Sequence, residues 1–250
     1  MSTCRIASGK IYFKDLSAAN QPYLPIGNAQ LSAAITEEVV TLPDYQNPAG
    51  GNACSVRDIS AVELTMTMYD YDKKNLALAV FGSYSEPVGG NIVAEPADVF
   101  LEGITPLAHI PTGSVVVKDG ATTYVDGTDY TWSAGGIQVI AGSSLATDIA
   151  AEITDPKRLP VTVDYAYAVE DVVEALVASG KTYALMVEAI NKANNGSAEV
   201  WRFHKVQFGP TGALAIISRE FGSFEITGES LPDTSQGVGE SQYFKIQQAQ

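Results

Sequence analysis

Long segments of the sequence alternate apolar and polar side chains with a period of two residues. In residues 60–70, every second residue from Val62 to Met68 is apolar, whereas Glu63 and the threonines between them are polar. This period places the apolar side chains on one buried face of a β-strand. We therefore predict four long strands, at residues 28–42, 60–70, 182–193 and 221–231. They exceed the usual length of about five to six residues, which favours a barrel or an assembly over a compact sandwich.

A tight turn is predicted between two β-like runs in the C-terminal half. Residues 194–196 read Asn-Asn-Gly and separate residues 182–193 from residues 198–208. Asn and Gly accept a positive φ at low cost, so the two runs are expected to pair as a hairpin.

Two short helices are predicted. In residues 72–81, Asp72 can act as the N-cap, and Gly82 stands where a C′ glycine belongs. The second helix is expected over residues 170–178, ending at Gly180.

Residues 93–167 differ from the rest of the chain. They contain short β-like runs separated by Asp-Gly and Gly-Gly turns, which is typical of a meander of small strands. Ten acidic and three basic residues give this segment a net charge of −7. We predict an inserted, solvent-facing β-sandwich at 93–167 within a discontinuous β domain made of residues 1–92 and 168–250.

Composition favours a mainly-β protein and argues against a polyanion-binding surface. The 250 residues include 22 Gly, 12 Pro and 12 Tyr, and 29 acidic against 15 basic side chains give a net charge of −14. Such a molecule repels nucleic acid and anionic lipid. The N-terminal residues lack the pattern of a secretory signal, and no segment is apolar enough to span a bilayer, so we expect a chain made in the cytoplasm. Cys4 and Cys54 fit free thiols, although the sequence also permits a bridge between them.

The sequence contains no recognisable catalytic constellation. His109 and His204 lie far from any zinc-ligand spacing. Gly180, Lys181 and Thr182 resemble the end of a phosphate-binding loop but lead into a strand, the reverse of the usual order. We therefore predict that the chain is not an enzyme and has no catalytic, cofactor-binding or metal-binding residues.

Several stretches of the chain resemble one protein family. Near the C-terminus the sequence reads FHKVQFGP at 203–210, ALAII at 213–217 and FGSFEITGESLPD at 221–233. Upstream it reads PIGNA at 25–29, KNLALAVFG at 74–82, GTDYT at 127–131 and VDY at 163–165. In these stretches the chain resembles the major tail tube protein of long, non-contractile-tailed bacteriophages. The resemblance reaches from one end of the chain to the other.

The resemblance implies a structural role. Members of that family have a tail-tube-type β-sandwich or barrel with one flanking short helix, and they form hexameric rings that stack into a tube. It implies that this chain binds itself and other tail proteins (tape measure, tail tip and terminator), with assembly in the host cytoplasm and a final place in the virion tail. DNA would be a cargo that passes without sticking, the membrane would not be a partner, and the insert would decorate the outside of the tube.

The bore of such a tube is expected to be acidic. Polar faces of the long strands lie opposite apolar faces, so some of them can line the bore. The candidates are Glu38, Glu63, Glu188, Glu225 and Glu229.

A second function class stays open at this point. A carbohydrate-binding or adhesive β-sandwich would use aromatic side chains on a concave face. Trp132 and Trp201 would be its platforms, although both also suit packing in a core or a turn.

Overall fold

The chain forms two compact units in a computed structural model that describes residues 6–17, 19–46, 48–153, 156–193 and 196–249. The first unit combines Met1–Tyr84 with Val173–Gln250, and the second is Ser85–Val172. Strands account for 53% of the structure and helices for 6%, which confirms the mainly-β fold.

Sixteen strands and two helices are present in the described residues. The N-terminal elements are β1 (Ala7–Asp15), β2 (Leu24–Pro25), β3 (Ala29–Pro43), β4 (Asn52–Met68), α1 (Lys73–Ala79) and β5 (Ser83–Ser85). The middle elements are β6 (Gly90–Phe100), β7 (Pro111–Asp119), β8 (Thr122–Thr123), β9 (Tyr130–Ser133), β10 (Gly136–Val139), α2 (Ser144–Ala151) and β11 (Arg158–Tyr167). The C-terminal elements are β12 (Val172–Glu174), β13 (Thr182–Asn191), β14 (Ser197–Phe208), β15 (Phe224–Ser230) and β16 (Phe244–Gln248).

One antiparallel sheet organises the first unit. Its strand order is β2-β1-β13-β14-β15-β4-β3, and β16 pairs with β14 beside this path. The predicted hairpin of β13 and β14 is confirmed, with Asn191 opposite Ser197. Its turn residues Asn194 and Asn195 lie outside the described residues, and Gly196 has a φ of +76°.

The sheet curls around its own core. In a flat sheet, β3 and β13 would be four strand spacings apart, about 19 Å. Yet Leu31 of β3 and Val187 of β13 line the same cavity, together with Trp201 and Phe203 of β14. The strands β15, β4 and β3 therefore form one layer, and β1, β13, the start of β14 and β16 form the other.

The core between the two layers is built from the apolar positions of the alternating strands. Leu64, Met66 and Met68 of β4 are fully buried and pack with Ile226 of β15 and Leu185 of β13. The residues that lie between these core positions on β4 and β15 point away from the core, because successive side chains of a strand alternate between its two faces.

Helix α1 confirms the predicted short helix, but its C-terminus differs from the expectation. Asp72 is the N-cap, and its Oδ1 accepts from the backbone N–H of Asn75 at 2.7 Å. Phe81, not Gly82, takes the left-handed conformation, with a φ of +52°. Gly82 follows it and donates its N–H to the carbonyl of Ala77 at 2.7 Å. Gly82 is needed because a Cβ there would lie 2.6 Å from the Glu174 carbonyl oxygen.

The helix predicted for residues 170–178 is wrong. Val172–Glu174 is strand β12, which pairs with β5. Leu176 has a φ of +61° and donates its N–H to the carbonyl of Val80. Backbone pairing with neighbouring segments thus replaces the i to i−4 bonds of a helix, and two successive β-branched valines favour the strand.

The hairpin of β3 and β4 extends well beyond the sheet. A register shift between Thr36 and Glu37 marks the start of this extension, which we call the arm (residues 37–59). Both faces of its two strands are exposed over Glu37–Pro43 and Asn52–Ile59. The arm is therefore a two-stranded ribbon that packs against no other part of the described chain.

The second unit has its own core. A four-stranded sheet has the order β6-β11-β7-β8, and β9 pairs with β10 in a two-stranded sheet. Val99, Val117 and Val163 are completely buried between these sheets and helix α2. The sequence pattern did not predict α2, an eight-residue helix whose N-cap is Ser143.

The second unit is longer than the segment 93–167 expected from the sequence. Strand β6 begins at Gly90, which pairs with Tyr167 of β11. The unit then continues outward to residues 85 and 172, where β5 and β12 lie side by side as the chain leaves the first unit and returns to it.

Candidate functional site

An acidic surface covers the outer side of the layer formed by β3, β4 and β15, and we call it the acidic face. Its charged residues are Glu63, Glu225 and Glu229, all of them exposed. They point outward because they alternate with core residues such as Leu64 and Ile226. The remaining outward side chains are small or uncharged polar: Gln30, Ser32, Ala34, Thr36, Thr65, Thr67 and Thr227.

The register of the strands determines which of these side chains are neighbours. Glu229 stands directly opposite Glu63, and Glu225 stands opposite Thr67. No Lys or Arg projects from this face among the described residues of the three strands. Gln207 of β14 pairs with Glu229, and Lys205 lies on the same side of β14, two residues away. Three carboxylates against this one ammonium group leave the face with a net negative charge, which repels phosphate groups.

Glu188 lies on the other layer, in a basic setting. The outward side chains of β1, β13, the start of β14 and β16 form what we call the basic face. Glu188 accepts a hydrogen bond there from the Tyr12 hydroxyl at 3.4 Å. The cations of this face are Lys10, Lys14, Arg202 and Lys245. Because the sheet curls, this surface and the acidic face are on opposite sides of the core.

Glu38 lies in the arm, away from both layers. Its cross-strand partner is Asp58, so two carboxylates face each other there. The neighbouring Glu37 accepts a hydrogen bond from Arg57 at 2.5 Å on the other side of the ribbon. The expectation that Glu38 lies opposite a buried apolar face is wrong, since both sides of the arm are exposed.

Of the five predicted bore residues, the structure thus brings together Glu63, Glu225 and Glu229. The arm is the feature that sequence reasoning missed, although its signal was present. Val39, Val40 and Leu42 are consecutive or nearly so, and such a run places apolar side chains on both faces of a strand. Their exposed fractions are 43%, 61% and 54%.

The two tryptophans serve packing in separate units. Trp132 is half-buried in the second unit and donates its Nε1–H to Asp126 at 3.1 Å. Trp201 is half-buried in the first unit and stacks on Phe244, with ring centroids 6.4 Å apart. Trp201 also lines, with Phe203, the cavity that Leu31 and Val187 share. The two predicted platforms therefore belong to different units.

The histidines and cysteines are likewise scattered. His109 is hydrogen-bonded through Nδ1 to the Glu170 carboxylate, and this hydrogen bond lowers the pKa of Glu170. His204 lies on β14 in the other unit. Within the described ranges, no three His, Cys, Asp or Glu side chains cluster in a way that could hold a metal ion. Cys54 is exposed in the arm, and Cys4 lies outside the described residues.

Two further features bear on the expectations from the sequence. Lys181 leads into β13 and lies 3.7 Å from Asp15, so an acidic side chain already neighbours its ammonium group.

In the part of the chain that the structure describes, neither helix is long and apolar enough to cross a membrane.

Comparison with known proteins places the chain in a family. Residues 5–247 match the family described as Protein of unknown function UCP028589, and the chain belongs to this family. A comparison with curated proteins gave no match.

Proposed function

We propose that this member of the family is a structural protein of a bacteriophage tail, one that forms rings of six copies stacked into a tube for DNA. The function requires self-association and no chemistry. The tail-tube-type architecture, the partners among other tail proteins and the place in the virion are parts of the same proposal.

The observation that carries the proposal is the arm. An isolated two-stranded ribbon is at best marginally stable in water. This one exposes apolar side chains on both faces, including Val40, Val56 and Ile59, which are exposed by 61%, 58% and 55%. Such a ribbon is stabilised when another copy of the chain covers it, because burying that surface removes apolar area from water.

The acidic face supports the second half of the proposal, the passage of DNA. A tube wall that carried lysine or arginine would bind each phosphate it met and release counterions. The side chains of Glu63, Glu225 and Glu229, set among Thr, Ser and Gln, offer no such contact. Inside a narrow bore their negative field would also be focused by the surrounding protein.

The resemblance in sequence points the same way. The stretches that resemble tail tube proteins include strand β15, which carries Glu225 and Glu229 of the acidic face, and most of helix α1, which packs beside the core. The proposal assigns the second unit to the outside of the tube, where its surplus negative charge meets solvent.

The test is the size of the purified full-length chain under native conditions. Mass photometry over a range of concentrations, with negative-stain microscopy of the same samples, is expected to show six-copy rings and, on nucleation, tubes. Monomers alone at the highest concentration, together with an absence of the chain from purified virions, would contradict the proposal.

A further inference from the structure

We propose that the arm of one copy docks on the basic face of a second copy, with Glu38 and Asp58 meeting Arg202 and Lys245. This inference rests on the proposed self-assembly and names the two surfaces that would carry it. The partner is another copy of this chain, and the recognition is electrostatic and apolar together.

The docking side of the arm is defined by its register. Glu38 and Asp58 are direct cross-strand partners, and Val40 and Val56 form the next pair on the same side. Glu38 and Asp58 have no cation within ion-pair distance among the described residues. Like charges placed directly opposite each other destabilise a ribbon, so this pair gains when a positive partner approaches.

The basic face presents the complementary pattern. Arg202 of β14 stands directly opposite Lys245 of β16, a pair of like positive charges. Arg202 donates a hydrogen bond to the Gln247 side chain at 2.5 Å and has no carboxylate partner among the described residues. Within the described ranges, the one carboxylate in reach of Lys245 is that of Glu240, at 3.8 Å. This pair therefore retains most of its positive charge toward solvent.

Apolar side chains lie at matching positions on the two surfaces. On the arm, Val40 follows Glu38 by two residues, a spacing of about 7 Å along a strand. On the basic face, Val200 precedes Arg202 by the same two residues, and Met186 stands directly opposite Arg202. A strand of the arm laid along β14 can thus place its acidic pair on the basic pair and its valines on Val200.

The net charges of the two surfaces also favour a second copy of the chain as the partner. The described residues of the arm include Glu37, Glu38, Asp44 and Asp58 against Arg57, a net charge of −3. The basic face has four cations against Glu188, a net charge of +3. Complementary charge across an interface increases the association rate and excludes wrong partners. Every copy carries both an arm and a basic face, so the docking of one on the other is a head-to-tail contact. Contacts of this kind close into rings or continue as filaments.

The test is charge reversal in the full-length chain, with assembly measured by mass photometry against concentration. We expect E38K/D58K to raise the concentration of half-assembly by at least about tenfold, because two attractions become repulsions. R202E/K245E is expected to do the same. Combining all four substitutions restores the opposite charges with their roles exchanged and is expected to recover assembly.

The matched control is E63K/E229K. It reverses the same number of charges in another pair of opposed carboxylates, but on the acidic face, and we expect assembly close to that of the wild type. E38Q/D58N provides a milder variant that removes the repulsion within the arm and so folds at least as well. Its assembly is expected to need a higher concentration than the wild type, and circular dichroism checks the fold of every variant.

The outcomes separate the inference from the function on which it rests. If the wild-type chain assembles and folded E38K/D58K assembles equally well, the docking inference is overturned while the proposed function stands. A folded quadruple variant that fails to recover also overturns it. If the wild-type chain itself never assembles, the proposed function fails and the inference fails with it.

Discussion

Glu63 and Glu229 stand directly opposite each other on neighbouring antiparallel strands, both exposed, and among the described residues neither has a cation within ion-pair distance. Cross-strand pairs of this kind bring the two side chains to within about 5 Å at Cβ. Repulsion between them costs stability, and an exchange of either residue for Gln would remove it. The repulsion between Glu63 and Glu229 does not help folding, so it is consistent with a surface whose negative charge serves another purpose.

Neutralising one member of that pair is expected to stabilise the first unit. Glu229→Gln should raise the free energy of unfolding by about 0.2–1 kcal/mol at low salt, the range measured for cross-strand pairs. The gain should shrink with added salt, because exposed charges are screened. Urea unfolding of the full chain, followed by Trp201 fluorescence in a Trp132→Phe background, measures it. An unchanged or lower stability at low salt would show that the two carboxylates do not repel each other appreciably.

Reversing the pair is expected to slow the passage of DNA. In virions with E63K/E229K, the bore would offer phosphate contacts, and each contact releases counterions and holds the DNA. We expect slower genome ejection, most clearly at low salt. E102K/D119K changes the net charge equally but in the second unit, so it serves as the control. Equal ejection rates for the two variants at low salt would mean that Glu63 and Glu229 do not face the DNA.

The second unit is expected to lose stability in acid through Asp129. This carboxylate is 6% exposed and accepts a hydrogen bond from the Ser144 hydroxyl at 2.7 Å. That bond, followed by the one from the Val125 N–H, lowers the pKa of Asp129. A pKa below the unfolded value means that the stabilisation is present above about pH 4 and is lost as the pH falls through the folded value.

Replacing Asp129 tests this dependence. Asp129→Asn should cost about 1–3 kcal/mol at neutral pH, because a charged hydrogen-bond acceptor is lost. It should also flatten the decline of stability below about pH 4. Trp201→Phe leaves Trp132 as a reporter of the second unit alone, and urea unfolding at several pH values provides the data. An equally steep decline in the Asp129→Asn variant would assign the acid sensitivity to other groups.

The second unit is expected to be dispensable for the tube wall. The two units have separate cores, and β5 and β12 lie side by side where the chain passes between them. A short Gly-Ser linker in place of residues 86–171 should therefore leave a folded first unit that assembles like the full chain. If this variant folds by circular dichroism yet stays monomeric while the full chain assembles, the second unit takes part in the ring contacts.

The alternating pattern predicted the buried faces well, because a period of two determines which residues of a strand share a side. Residues 60–70 illustrate this: all four apolar positions from Val62 to Met68 are buried. The same rule could not assign a strand to a layer. Glu188 and Glu229 both lie opposite apolar faces, but the curl of the sheet places them on opposite sides of the core.

The sequence pattern gave wrong predictions where the structure depends on contacts between residues that are distant in the sequence. Residues 170–178 have a helix-like composition, and only their pairing with β5 and with the end of α1 makes them a strand and a turn. Glu38 was expected to oppose a buried face because its segment is continuous with the core part of β3. The structure shows that burial on β3 ends after Leu31, before the arm, and Ile35 is already 58% exposed.

The most direct test of the proposed tube is an electron cryo-microscopy reconstruction of the assembled full-length protein. We expect rings of six copies in which the side chains of Glu63, Glu225 and Glu229 point into the central bore. An assembly without sixfold symmetry, or a sixfold ring in which these three side chains point away from the bore, would contradict it.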